Sequence, residues 1–127
     1  MTTLVLDAGA LVAVERNDRA TVARLTAAAR HGIGLRTNAM VLAQVWRDGR
    51  GRQASLARFL RAVDVRALVE EDGRSAGALL GRSGTSDPID ATVVLMAAPG
   101  DRILTSDPED IRHLADADGN PVGVIPC

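Results

Sequence analysis

Five aspartates stand where carboxylate chemistry is possible. Asp7 directly follows the apolar run TLVL (3–6) and precedes the small residues Ala8, Gly9 and Ala10. The tetrapeptide TSDP occurs twice, at 85–88 and 105–108, each time with a second aspartate three residues after the first: Asp87 with Asp90, and Asp107 with Asp110. Taken alone, each copy reads as a helix start. An Asp before Pro is a good N-cap worth about 1 kcal/mol, and an acid at the third helical position complements the helix dipole. Asp90 fits that reading less well, because it lies in the apolar stretch IDATVVLMAA, which faces a core. A carboxylate withdrawn from water must be paired or bound to metal. The chain has no Lys and few Arg near these segments, so a hard cation is the simpler partner. Mg2+ and Mn2+ favour carboxylate and water oxygens, and such sites support phosphodiester hydrolysis.

The elements around these acids follow from periodicity and punctuation. Strands are expected at 3–6, 33–37, 65–68 and 102–105, with a last, edge-compatible one at 121–125. Helices are expected at 8–15, across 19–32 up to Gly32, at 39–47 behind Asn38 as N-cap, at 53–63, at 71–84 despite Gly73 and Gly77, at 87–98 and at 108–115. Alternation of this kind predicts an α/β domain, a mainly parallel sheet covered by helices on both faces, in a chain whose 127 residues suit a single domain (1–127). Parallel sheets bind ligands at the carboxyl ends of their strands. Asp7 and Asp107 both follow strands, so the two carboxylates are expected in one crevice.

Composition narrows the chemistry. All fifteen basic residues are Arg, and twelve of the sixteen acids are Asp. Without Lys there can be no phosphate-binding P-loop and no lysine Schiff base. A formal net charge of −1 argues against polyanion binding driven by net charge alone. With one Trp, one Phe and no Tyr, the core must be aliphatic, and Trp46 is expected to join it. The one cysteine, Cys127, makes neither an intrachain disulfide nor a cysteine metal site. Neither His31 nor His113 has a ligand partner four residues on. The opening MTTLVLDAG lacks a basic leader region, and the longest largely apolar run, ATVVLMAAP, is far short of the roughly 20 residues a membrane helix needs. A cytoplasmic protein without membrane attachment is expected.

Three segments together, LVLDAGAL, SDPIDATVVLMA and ILTSDPEDIRHL, resemble the PIN-domain family, with the VapC-type toxins of bacterial toxin–antitoxin pairs as the nearest match. Their order and separations span about residues 3 to 125. The resemblance implies a three-layer PIN-like fold and a metal-dependent endoribonuclease that cleaves RNA with water activated by Mg2+ or Mn2+. It implies Asp7, Asp90 and Asp107 as catalytic metal ligands, and Thr105 as the hydroxyl that orients Asp107. Asp87 and Asp110 are accessory acids, with capping and dipole roles as the competing explanations. It also implies a homodimer and a cognate antitoxin protein covering the acidic cleft. One position departs from the pattern: AMVLAQVWRD carries Gln44 where the family usually has Glu, which removes a charge and puts catalysis in doubt. Asp48, read as four residues along the same helix, is a candidate replacement or else a solvated surface acid. Arg47, Arg50 and Arg52, from WRDGRGR, are candidates to hold RNA at the rim or else a solvated turn. The alternative reading is a PIN-fold binding module, catalytically weakened by Gln44, acting through protein or RNA contacts. A receiver-type phosphotransfer domain is disfavoured by the missing Lys, and a haloacid-dehalogenase-type site by Gly9 where a second Asp would stand.

Overall fold

The computed structural model describes residues 2–127. Five parallel strands form one sheet: β1 (Thr3–Leu6), β2 (Gly34–Asn38), β3 (Asp64–Arg66), β4 (Arg102–Thr105) and β5 (Gly123–Pro126), in the order β3-β2-β1-β4-β5. The composition of each strand matches its place. Central β1 and β4 are apolar runs whose last three residues are all buried, as a strand covered on both faces requires. Edge strand β3 (DVR) is exposed throughout, and edge strand β5 (GVIP) carries a Pro that an inner strand would not tolerate.

The helices are α1 (Ala8–Glu15), α2 (Arg19–Arg30), α3 (Ala39–Val45), α4 (Ala54–Leu60), α5 (Glu70–Ser83), α6 (Pro88–Met96) and α7 (Pro108–Asp118). Right-handed crossovers place α1–α4 on one face of the sheet and α5–α7 on the other. The packing agrees: α1 contacts α2, α3 and α4, while α5, α6 and α7 contact one another. The aliphatic core between the layers centres on Val5, Leu6, Leu11, Leu79, Val93, Ile103, Leu104 and Ile111, all fully buried. The chain leaves β1 toward β2 and leaves β4 toward β5, in opposite directions. The two loops therefore part at the carboxyl edge and open a crevice at this switch of direction.

Three boundaries differ from the sequence expectation for identifiable reasons. Helix α3 stops at Val45 instead of 47, and Trp46 is extended (φ −68, ψ 133). The buried side chain of Gln53 replaces the missing helical bonds: its Oε1 accepts from the Arg47 and Asp48 amides, both at 2.9 Å, and its Nε2 donates to the Val45 carbonyl at 2.9 Å. The helix expected over 53–63 is shorter, a single 3-10 turn (Gly51–Gln53) leading into α4. Helix α7 continues past 115 to Asp118 and ends at Gly119, whose φ of 71 suits glycine. In α5 the exposed Gly73 and Gly77 are carried by good ends, with Asp72 accepting from the Val69 amide at 2.8 Å and Gly84 at φ 71.

A candidate acidic site at the carboxyl edge of the sheet

Helices α1 and α7 directly follow β1 and β4, and α6 returns the chain to the start of β4, so all three begin at the carboxyl edge of the sheet. Their first residues are the acids the spacing singled out. Asp7 is the N-cap of α1: its Oδ1 accepts from the Ala8 amide at 2.7 Å, and its own amide donates to the Leu104 carbonyl of β4 at 3.0 Å. Thr105, fully buried as the last residue of β4, donates its hydroxyl to Asp7 Oδ2 at 2.8 Å and accepts from the Asp107 amide at 3.0 Å. One hydroxyl therefore ties the β1 acid to the backbone of the β4 acid. The sequence expectation had Thr105 orienting Asp107 alone; the structure adds Asp7.

The two TSDP copies are used differently. Asp87 caps α6, its Oδ1 accepting from the Ile89 and Asp90 amides at 2.9 and 3.1 Å. Asp107 occupies the same position before α7, but its φ and ψ (−119, 63) depart from the extended conformation of a cap and its side chain makes no capping hydrogen bond; its own amide donates to the Thr105 hydroxyl. The capping role anticipated for Asp107 is therefore absent, and its exposed carboxylate is free.

The acids are near enough to repel one another. Burial drives the Asp90 carboxyl from an ordinary 3.8 up to about 7, and the charges of Asp7, Asp87, Asp107 and Asp110 push in the same direction. Asp7, only 5% exposed, is also raised, chiefly by burial and further by Asp107 and Asp87, against the lowering effect of its bonds from Thr105 and the Ala8 amide. Among the described residues none of these five acids forms an ion pair with Arg. Hard oxygen donors crowded without a basic partner suit Mg2+ or Mn2+, which keeps several waters and needs only one or two direct carboxylates. Among the described residues, no three His, Cys, Asp or Glu side chains stand close enough together to enclose a metal directly.

The close approach that Gly9 permits is to protein. A Cβ at this position would lie 2.6 Å from Ser106 Cβ and 2.9 Å from the Ser106 amide nitrogen, so the missing side chain lets the Ser106–Asp107 turn settle on the start of α1. Asn38 caps α3 as expected, accepting from the Met40 and Val41 amides at 3.0 Å each, and its Nδ2 also donates to Thr92 on α6 at 3.0 Å. That bond ties the helix carrying Gln44 to the helix carrying Asp90.

Gln44 itself is exposed on α3 and lines a cavity of about 630 Å3 with Val12, Arg16, Arg47, Arg50 and Arg52, a lining that includes none of the five acids. Asp48 lies beyond the end of α3, so the supposed four-residue spacing along one helix does not exist; it pairs with Arg50 at 3.2 Å in solvent. Arg47 donates to the Ala43 and Trp46 carbonyls at 3.2 and 2.7 Å. Sequence reasoning missed Gln53 and Asp101. Asp101 is a buried structural acid accepting from the Thr3 and Ala98 amides at 2.9 and 2.8 Å. Neither sits in a motif; only its burial identifies it. Trp46 is partly buried against the core, and His31 and His113 bond the Ala27 and Ser83 carbonyls at 2.7 and 2.8 Å.

No protein-family model matches the chain, and no curated protein matches it. Among solved structures it is similar to a chain of VapBC2 from Rickettsia felis, in a crystal structure described as bound to a DNA fragment from their promoter. The TM-score is 0.70 at 14% identity, with 99% of each chain covered. The likeness establishes the fold: a three-layer, PIN-like α/β architecture, as the sequence resemblance implied. Among the described residues no helix is long and apolar enough to cross a membrane.

Proposed function

We propose that this chain is a metal-dependent endoribonuclease serving as the toxin of a toxin–antitoxin pair, with a cognate antitoxin as its protein partner. The observation that carries the reading is the Thr105 hydroxyl bridging Asp7 and the Asp107 amide at the switch point, with Asp90 crowded by four further carboxylates. The shared fold with a chain of VapBC2 supports the toxin–antitoxin assignment.

Asp7, Asp90 and Asp107 would hold Mg2+ or Mn2+, one or two of them directly and the rest through its waters, with Asp87 as an outer acid already engaged in capping α6. The ion supplies activation of water and charge neutralisation at the scissile phosphate. Thr105 holds the Asp7 carboxylate in one rotamer and fixes the turn that presents Asp107. Asp90, its carboxyl raised to about 7 by burial and the neighbouring charges, would be favoured as the carboxylate beside a bound cation. The carboxylates alone would repel RNA, and a cation held among them would offset that charge for substrate approach as well as hydrolysis.

The rival reading, a binding module weakened at Gln44, rests on the placement of that residue in an arginine-lined cavity. Comparing RNA cleavage by wild type and Gln44→Glu in Mn2+ separates the two. The enzyme reading expects cleavage by wild type; a folded wild type that leaves RNA intact while Gln44→Glu cuts it would establish the weakened module.

A further inference from the structure

Two cavities meet along the outer face of α1. One, of about 600 Å3, is lined by Gly9, Val12, Arg16 and Ser106, the neighbour of Asp107. The other is the 630 Å3 cavity with Arg16, Arg47, Arg50 and Arg52 beside Gln44. Val12 and Arg16 line both, so the cavities adjoin as one trough along α1, from Ala8 and Ser106, the chain neighbours of Asp7 and Asp107, to the arginine cluster. Its floor is α1, eight residues and thus about 12 Å long.

The charges along this trough are unevenly committed. Asp48 is paired with Arg50, and Asp18 accepts from the Thr21 amide at 3.0 Å as the cap of α2. Asp18 keeps its charge while capping, and Glu15 is a further acid. Against these, among the described residues, Arg16 and Arg52 have no side-chain hydrogen bond or ion pair, and both are exposed. The loop carrying Arg47, Arg50 and Arg52 is held by the buried Gln53, so these guanidiniums project from a fixed frame. Guanidiniums match phosphate oxygens in geometry and stay charged at any physiological pH.

We infer that the α1 trough binds the backbone of a single RNA strand leaving the acidic site, with Arg16 and Arg52 as the phosphate ligands. The inference rests on the ribonuclease reading and adds to it the direction of the strand and Arg16, which no motif marks. The strand passes from the Ser106–Asp107 turn over Val12 and reaches the arginine cluster a few nucleotides from the scissile bond.

The test is fluorescence anisotropy of a fluorescein-labelled oligouridylate in EDTA, titrated with wild type, with Arg16→Gln/Arg52→Gln and with the charge-matched control Arg61→Gln/Arg74→Gln. The trough variant should bind at least about tenfold more weakly, and its salt slope should shrink by roughly 1.4, about 0.7 for each lost phosphate contact on a single strand. The control should bind as wild type does. The Mn2+-induced rise in melting temperature should be the same in all three proteins, which shows the acidic site and fold intact. Equal binding by trough variant and wild type overturns the inference, as does a wild type that binds no oligouridylate. If the trough variant instead loses only a labelled poly-glutamate probe, the surface docks protein and the inference is equally overturned. Arginine-dependent RNA binding without Mn2+-dependent cleavage would leave the trough standing and remove the ribonuclease reading instead.

Discussion

Asp90 is held in a state its ordinary chemistry disfavours. With its folded pKa near 7 against an ordinary 3.8, the native protein keeps a proton that the unfolded chain releases. The contribution of Asp90 to stability is therefore greatest below about pH 4, falls as pH rises toward 7 and is level above it, while Asp18 and Asp64, lowered by their hydrogen bonds, contribute in the opposite sense at acid pH. Asp90→Asn removes that dependence, so in EDTA at pH 8 it should melt several degrees higher than wild type, with the difference shrinking by pH 5; calorimetry at the two pH values reads it. The same variant should lose Mn2+ binding, an exchange of stability for function. Thr105 makes the opposite case. Thr105→Val keeps the shape but leaves Asp7 Oδ2 and the Asp107 amide without their partner, and about 1–3 kcal/mol should be lost in urea unfolding. Thr105→Ser should retain most of both stability and cleavage. At this scale the acids were legible, because Asp after an apolar strand and Asp inside an apolar helix are both anomalous. Period and spelling did not separate Asp87 from Asp107, although the family resemblance did: the same four letters cap one helix and leave a free carboxylate at the other, where the backbone (φ −119, ψ 63) departs from the extended conformation of a cap.

At the level of elements, the site depends on how tightly α1 and the β4–α7 turn approach. Gly9→Ala places a methyl group against Ser106, including its backbone nitrogen, so the turn must move. We expect a loss of about 1–3 kcal/mol in stability and a larger proportional loss of Mn2+ affinity, read by calorimetric titration of the folded variant. Ser106→Gly in the same protein should restore only part of it, because the backbone clash persists. Helix and strand positions were readable from period and punctuation to within a few residues. The end of α3 was not, because it is decided by Gln53 from eight residues beyond Val45, and a side chain that finishes another element's hydrogen bonds leaves no periodic trace. That error also made Asp48 look like a helical neighbour of Gln44.

For the whole molecule, topology explains why acids distant in sequence share one crevice: β1 and β4 are adjacent, and their chains part in opposite directions. The alternation of strands and helices announced the α/β class, whereas the strand order emerged only in three dimensions. The crevice gathers negative charge in a chain whose net charge is only −1, so the field is local. Mn2+ at a hundredfold excess over its Kd should stabilise the fold by about 2.7 kcal/mol, several degrees of melting temperature, with no shift in Asp7→Asn. The most direct test of the central claim is cleavage of a single-stranded RNA by purified wild type and Asp7→Asn, each in Mn2+ and in EDTA, with both proteins shown to be folded. Wild type in Mn2+ should yield fragments, and the other three conditions none. Intact RNA in all four, or equal cleavage by Asp7→Asn, would contradict it.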